Sequence, residues 1–254
     1  MALLSQHLRL MTNSLVVIPD IHGRLDRLQN LSGTLCLLGY DERPWVFLGD
    51  YIDRGPDSLG VLDYLMALRK EHFNWIFLRG NHEQMMLDYL ALGNLQWFHE
   101  ANGGRQTVDS YERFYRREFK KRNDFLKAVD SHKHLEFLLN TKLYHQTEDY
   151  FFSHAPIPKE EYRSTELVTP PGKVFPAKLC YWSYPGSTDE AEFAFVHSDR
   201  FAVCGHVHQL NQGKATARLY DHICYLDAGC GCHPEAPLAA LVLPEKKIVY
   251  SSVL

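Results

Sequence analysis

The chain has 254 residues, 45% of them hydrophobic and 23% charged, and a formal charge of −4. That is ordinary globular composition, with room for one large α/β domain or two small ones. The charge excludes a global basic field for nucleic acid, and no apolar run approaches the roughly 18 residues of a membrane-spanning helix. Residues 1–13 lack a basic start followed by a long apolar stretch, so no signal peptide is expected. A cytoplasmic location and reduced thiols for the six cysteines follow as expectations. Fourteen histidines invite a search for metal ligands.

The first ninety residues repeat one plan three times. The apolar run Leu15–Ile18 ends at Pro19-Asp20, and an amphipathic stretch follows from Arg24 to about Leu38. The run Trp45–Leu48 ends at Gly49-Asp50, with a helical pattern from Ser58 to about Lys70. The run Trp75–Leu78 leads to Gly80-Asn81, with a helix expected from about Gln84 to Leu92. Short buried strands alternating with helices read as βαβ units in a parallel sheet. Chemistry in such sheets sits beyond the carboxyl ends of the strands.

Residues 94–139 are helical in pattern, highly charged and without a clear strand. They read as a small cap inserted into a single domain spanning 1–254. Six of the ten residues from Arg113 to Arg122 are basic. This run is either the solvated face of an amphipathic helix or an electrostatic funnel for anionic substrates. Strand-like runs follow at 142–146, 150–153, 201–204, 223–226, 238–243 and 247–253, spaced as hairpins of a second sheet. The proline-rich stretch 157–176 reads as a loop.

Asp20, Asp50 and Asn81 recur at intervals of 30 and 31 positions, each just past an expected strand. Adjacent strands lie about 4.8 Å apart, so these oxygen donors, with His22 beside the first, can converge on one small volume. Oxygen mixed with imidazole suits Mn²⁺, Fe or Zn²⁺. Asp50, on the middle strand of the three, is placed to bridge two ions.

The strings Asp20-Ile21-His22-Gly23, Gly49-Asp50-Tyr51-Ile52-Asp53-Arg54-Gly55 and Gly80-Asn81-His82-Glu83 resemble the signatures of the phosphoprotein phosphatase family of metallophosphoesterases. Ser153-His154-Ala155, Gly205-His206 and Asp227-Ala228-Gly229 resemble its later elements. Order and spacing agree from about residue 14 to 230. The segment from Asn102 to Thr107 is similar to one in bacterial and phage members. The resemblance implies an α/β metallophosphoesterase sandwich of two β-sheets flanked by helices, with a small helical cap. It implies two divalent ions, with Mn²⁺ favoured over Fe or Zn²⁺. Asp20, His22 and Asp50 would hold one, and Asp50, Asn81, His154 and His206 the other. A water activated between the ions would attack phosphorus in line. His82 would protonate the leaving oxygen, Asp53 would orient His82, and Arg54 would grip phosphate. The blander reading of Asp53 and Arg54 is a surface ion pair. Glu83 reads as a structural hydrogen-bonding residue or helix-start charge, and Arg24 as solvated.

Three departures from the family pattern bear on the site. His208 follows His206 by two residues and is a candidate ligand to the first ion or a partly exposed neighbour. Where the family often carries a second phosphate-gripping arginine, the window reads Tyr181-Trp182-Ser183-Tyr184, so Tyr184 stands there and Arg105 or Arg200 is left as a substitute grip. Cys230-Gly231-Cys232-His233 reads as small packed thiols, with a redox-sensitive pair as the alternative. The expected activity is hydrolysis of phosphomonoesters on phosphorylated Ser or Thr, or of small phosphate esters. No nucleic-acid or membrane partner is expected. The alternatives are a dinucleoside tetraphosphate hydrolase, against which Asp53-Arg54 argues, and a catalytically silent phosphoprotein-binding module.

Overall fold

The computed structural model describes residues 14–157, 200–211 and 214–252. The proline-rich stretch beyond Ile157 and the window containing Tyr184 lie outside these residues. The first sheet has the order β12-β11-β1-β2-β3, with β1 (Leu15–Ile18), β2 (Trp45–Phe47), β3 (Ile76–Phe77), β11 (Ala239–Leu243) and β12 (Lys247–Tyr250). β1, β2 and β3 run parallel, with Val16 opposite Trp45 and Val46 opposite Ile76. The crossovers are α1 (Leu25–Leu37) and α2 (Ser58–Glu71), as the apolar periodicity requires. Successive β1 side chains enter two different cores because strand side chains alternate between faces. Val16 and Ile18 pack toward the helices, while Leu15 and Val17 pack toward the second sheet.

The second sheet has the order β4-β5-β6-β10-β9, with β4 (Tyr144–Gln146), β5 (Tyr150–Ser153), β6 (Phe201–Cys204), β9 (Arg218–Leu219) and β10 (Ile223–Tyr225). The hairpin expectation is corrected in two ways. β5, β6 and β10 are parallel to one another, and the hairpin β11–β12 joins the first sheet against β1. A separate two-stranded ribbon joins β7 (Gln209–Asn211) to β8 (Lys214–Thr216).

The third helix, α3, spans Asn81–Leu92 and starts three residues earlier than its periodicity suggests. The Glu83 side chain accepts the Gly80 N–H at 2.9 Å and so caps the first turn one step upstream of the apolar stripe. The cap consists of a 3₁₀ turn (Leu95–Phe98), α4 (Gly104–Tyr115), α5 (Arg122–Ser131) and α6 (His134–Leu139). Trp97, Tyr111, Phe125, Val129 and Phe137 of the cap share one buried cluster with β2, α1 and α2. The cap is therefore welded to the body through a common core. The basic run is not one helix face, because α4 ends at Arg116 in the left-handed conformation (φ 52°) and α5 begins only at Arg122. Arg117 lies over the Tyr115 and Phe119 rings, and Glu112 Oε1 accepts the Phe119 N–H at 2.7 Å. Among the described residues no helix is long and apolar enough to cross a membrane, and the five described cysteines are free.

Candidate active site

Every residue expected to hold metal, apart from His208, lies just past the carboxyl end of a parallel strand or on the turn that follows it. Asp20 follows β1, Asp50 follows β2, and Asn81 opens α3 after β3. From the facing sheet, His154 follows β5 and His206 follows β6. Fitting them together demands unusual backbone. His22, Asp50, Asp53, Arg54 and His206 all have φ between 46° and 73°. Non-glycine residues rarely adopt this region, at a cost of about 1–3 kcal/mol each, and they persist where surroundings over-determine them. Here the surroundings are specific. Ile21 and His22 both donate their N–H to the Asp50 carbonyl at 2.9 Å. The Glu83 carboxylate accepts the N–H of Asp50 and Tyr51 at 2.8 Å, besides that of Gly80. Glu83 is thus the structural tie that its position suggested. Gly80 has to be glycine, because a Cβ there would collide with Asp50 Oδ1.

The donor atoms form two groups that share Asp50. His22 Nε2 lies 3.9 Å from Asp20 Oδ2 and 3.7 Å from Asp50 Oδ2. His154 Nε2 lies 3.3 Å from Asp50 Oδ2, 3.0 Å from Asn81 Oδ1 and 3.2 Å from His206 Nδ1. The histidines are oriented as metal ligands require. His22 Nδ1–H donates to Ile52 O at 2.9 Å and His154 Nδ1–H to Leu48 O at 3.1 Å, so that each Nε2 faces the centre. Asp50, His154 and His206 have donor atoms within 4.8 Å of one another, as do Asp50, His22 and His82. Hard oxygens mixed with imidazole, converging from buried positions, fit a pair of divalent ions.

Charge balance points the same way. Asp20, Asp50, Glu83 and Asp227 are all buried. Burial, with Asp227 and Asp50 nearby, holds the Asp20 carboxyl well above its ordinary range. Burial also raises Glu83 to about 7 and Asp227 to about 6. Burial opposes a proton on His154, but Asp50 and Asp20 outweigh it and push it up to about 9. Burial alone would raise Asp50, yet the ring of His154, His82 and His22 draws it well below the usual carboxylate range. Buried carboxylates gathered this closely favour a cation among them.

His82 and Asp53 form a separate corner of the site. His82 Nδ1 lies 2.7 Å from Asp53 Oδ2. The same oxygen accepts Trp97 Nε1–H at 2.8 Å, and Asp53 Oδ1 accepts the Thr107 hydroxyl at 2.6 Å. The Asp53 N–H reaches Thr107 Oγ1 at 2.9 Å and Ser58 Oγ at 3.1 Å. Asp53 is completely buried, so it is no surface ion pair. Trp97 and Thr107 come from the cap, and no sequence motif marks either as a partner of Asp53. Thr107 closes the quoted segment from Asn102, but nothing in the pattern of Trp97 distinguishes it from a core aromatic.

A cleft of about 180 Å³ opens over the centre, lined by Asp50, Arg54, Asn81, His82, His206, Val207 and His208. Half-buried Arg54 reaches His22 Nε2 and, at 3.2 Å, Cys232 Sγ. Arg105 lies elsewhere. Its guanidinium is 56% exposed on α4 and engaged by Asp109 at 2.7 Å and Glu112 at 2.5 Å. Arg200 is likewise turned to Glu148 O and Gln146. Neither supplies a second grip. His206 and His208 do not sit on a strand, since β6 ends at Cys204, so strand alternation does not aim them. His208 Nδ1 stands 3.8 Å from Asp227 Oδ2 and edge-on to the His233 ring, at the rim of the cleft. Arg24 is not solvated but pairs with Asp26 at 2.7 Å, its side chain only 15% exposed. Burial keeps Cys232 protonated despite Arg54 beside it, pushed up to about 12, and raises Cys230 further, as expected of packed thiols.

Residues 14–210 match the calcineurin-like phosphoesterase family. The chain belongs to this family. Such enzymes hydrolyse phosphoesters with a binuclear metal centre, and the donor set described above fits one. The bis(5'-nucleosyl)-tetraphosphatase PrpE of Oceanobacillus iheyensis is 26% identical over 246 residues, covering 92% of this chain and 90% of that protein. Serine/threonine-protein phosphatase 1 of Salmonella typhimurium is 45% identical over 76 residues, 30% of this chain and 32% of its own. The solved structure of a cold-active protein-tyrosine phosphatase from a psychrophilic Shewanella species superposes with a TM-score of 0.59 at 19% identity, over 94% of this chain and 80% of that one.

Proposed function

We propose that the protein is a phosphomonoesterase acting on phosphorylated serine or threonine side chains, with Mn²⁺ at its centre. The observation that carries this is the buried His82–Asp53 pair, fixed by Trp97 and Thr107 beside an open cleft. Serine and threonine leave as alkoxides, which are poor leaving groups and need a proton in the transition state. A polyphosphate chain leaves as a phosphate anion and needs far less help. An acid bonded to a carboxylate that Trp97 and Thr107 hold in place serves the first reaction better than the second.

The placement of the side chains supports the following roles. Asp20, His22 and Asp50 would hold one ion and Asp50, Asn81, His154 and His206 the other. Ions held there would supply charge for the phosphoryl oxygens and an activated water. Arg54 binds phosphate oxygens with its planar fork. His82, with Nδ1–H given to Asp53, presents Nε2 to the leaving oxygen. Asp53 fixes that tautomer and supports the charged imidazole.

A second reading, hydrolysis of dinucleoside tetraphosphates, is favoured by one observation. The relative matching nine-tenths of this chain bears that name. Side-by-side kcat/KM for phosphoserine peptides, an aryl phosphate and a dinucleoside tetraphosphate, with Mn²⁺ added, decides between them. The proposal expects phosphopeptides to lead, and a preference for the dinucleotide by tenfold or more would overturn it.

A further inference from the structure

A third convergence of ligand atoms lies outside the catalytic centre. Asp63 on α2 faces His132, which ends α5, and His134, which opens α6. Their donor atoms all lie within 4.8 Å of one another, the same closeness found in the two catalytic groups. Asp63 Oδ1 is 3.0 Å from His134 Nε2 and 3.3 Å from His132 Nδ1. Tetrahedral zinc with bonds of about 2.0–2.1 Å places its donors roughly 3.3–3.4 Å apart. Both Asp63 separations are therefore close to that spacing, and the two imidazole nitrogens lie within 4.8 Å of each other.

Three further features suit metal rather than a casual contact. Lys133 between the histidines is left-handed, at φ 63°, and this brings both imidazoles to one side, with ring centroids 5.0 Å apart and 24° between planes. The His134 ring is completely buried, and its other nitrogen meets the Tyr111 hydroxyl at 2.5 Å. A ligating imidazole is commonly fixed in this way by a partner on its far nitrogen. Asp63 is 47% exposed, which leaves an entry path and room for water in the fourth position.

We infer that Asp63, His132 and His134 form a Zn²⁺ site that clamps the cap helices α5 and α6 to α2 of the body. Two imidazoles and one carboxylate suit Zn²⁺ over Mg²⁺ or Ca²⁺. The site is separate from the catalytic centre, and the inference does not rest on the substrate reading.

The test measures zinc content of the full chain, stripped by chelator and equilibrated at micromolar free Zn²⁺. Wild type should retain three equivalents and His132→Ala two. At roughly a hundredfold excess of Zn²⁺ over Kd, the protein already loaded with Mn²⁺ should gain about 5–10 °C in Tm, and His132→Ala should lose that gain. Asp63→Asn, at a half-exposed position, carries the same test should His132→Ala fold poorly. Equal zinc content in wild type and Asp63→Asn, with no difference in the Tm response, would overturn the site and leave the trio as hydrogen bonds alone.

Discussion

The floor of the site and its acid corner are built in opposite ways. The floor takes its donors from strand ends of two facing sheets, and backbone geometry aims them. Left-handed residues at His22, Asp50 and His206 are held by hydrogen bonds to neighbouring backbone, to Glu83 and, for the His206 N–H, to the Asp20 carboxylate. The corner pairs His82 in the first turn of α3 with Asp53 on the loop after β2, and hands its alignment to side chains of the cap. A floor made of main chain can shift little without unfolding the sheets. A corner made of side-chain hydrogen bonds can be loosened one bond at a time. Damage to the floor should therefore remove metal and activity together, while damage to the corner should spare metal and change how the enzyme treats its leaving group.

The largest effect is expected at Asp50, the carboxylate common to both donor groups. Asp50→Asn weakens both ion sites at once, and several kcal/mol of transition-state stabilisation go with them, on the order of 10³-fold or more in kcat/KM. Chelation of the wild type should abolish turnover and Mn²⁺ should restore it. Full activity after exhaustive dialysis against chelator would break the account of the floor. His82→Asn comes next, with kcat down by roughly 10²–10⁴-fold on an alkyl phosphate and a smaller loss on a good aryl leaving group. Bound metal, measured directly, should be unchanged. An equal loss across leaving groups would show that His82 belongs functionally to the floor.

The contrast also explains what the sequence disclosed. The floor was legible because its strands are buried on both faces and appear as apolar runs, each ending in a polar residue. The second sheet was less so. Its strands could be located, but parallel and hairpin connections look alike where the linking segment carries no helical period. The helix begins at Asn81, ahead of its apolar stripe, because Gly80 and Glu83 cap it there. The basic run from Arg113 failed as a helix because Arg117 finds aromatic faces and Glu112 binds the following loop. The corner's supports were invisible for a plain reason. Trp97 is buried like any core indole, and only tertiary structure shows its N–H directed at a carboxylate.

Glu83 tests the floor more gently. It is not a ligand, yet its carboxylate gathers four backbone N–H groups, those of Asp50, Tyr51, Ile52 and Gly80 at the α3 start. In Glu83→Gln the amide turns a donor toward those N–H groups. One unsatisfied buried group costs about 1–3 kcal/mol, which is about 2–12 °C in Tm for a chain of this size. Metal affinity should fall roughly 10–100-fold, as for other residues that orient ligands. Calorimetry of Mn²⁺ binding reads this directly. A variant with normal affinity and lowered Tm would confine Glu83 to folding.

The smallest effect is expected from Thr107 and Trp97, and it is the one that separates the two regions most sharply. Thr107→Val keeps the shape but removes the hydroxyl donated to Asp53 Oδ1, and Trp97→Phe removes the indole N–H from Oδ2. Each removes one hydrogen bond to a carboxylate, worth about 1.5–3 kcal/mol where it is made, and Thr107→Val also leaves the Asp53 N–H to Ser58 Oγ alone. Only part of that reaches the reaction, because Asp53 keeps its bond to His82. A fall of roughly tenfold in kcat follows, with KM and bound metal unchanged. The loss should be larger for phosphoserine than for an aryl phosphate, and Thr107→Ser should recover most of it. The decisive measurement is the double variant. If Thr107 acts only by aiming Asp53 and His82, then Thr107→Val should cost almost nothing once His82 is already Asn, since groups that act as a unit are not additive. Losses that simply multiply would mean that the cap supports the floor as well, and the division between the two regions would fail.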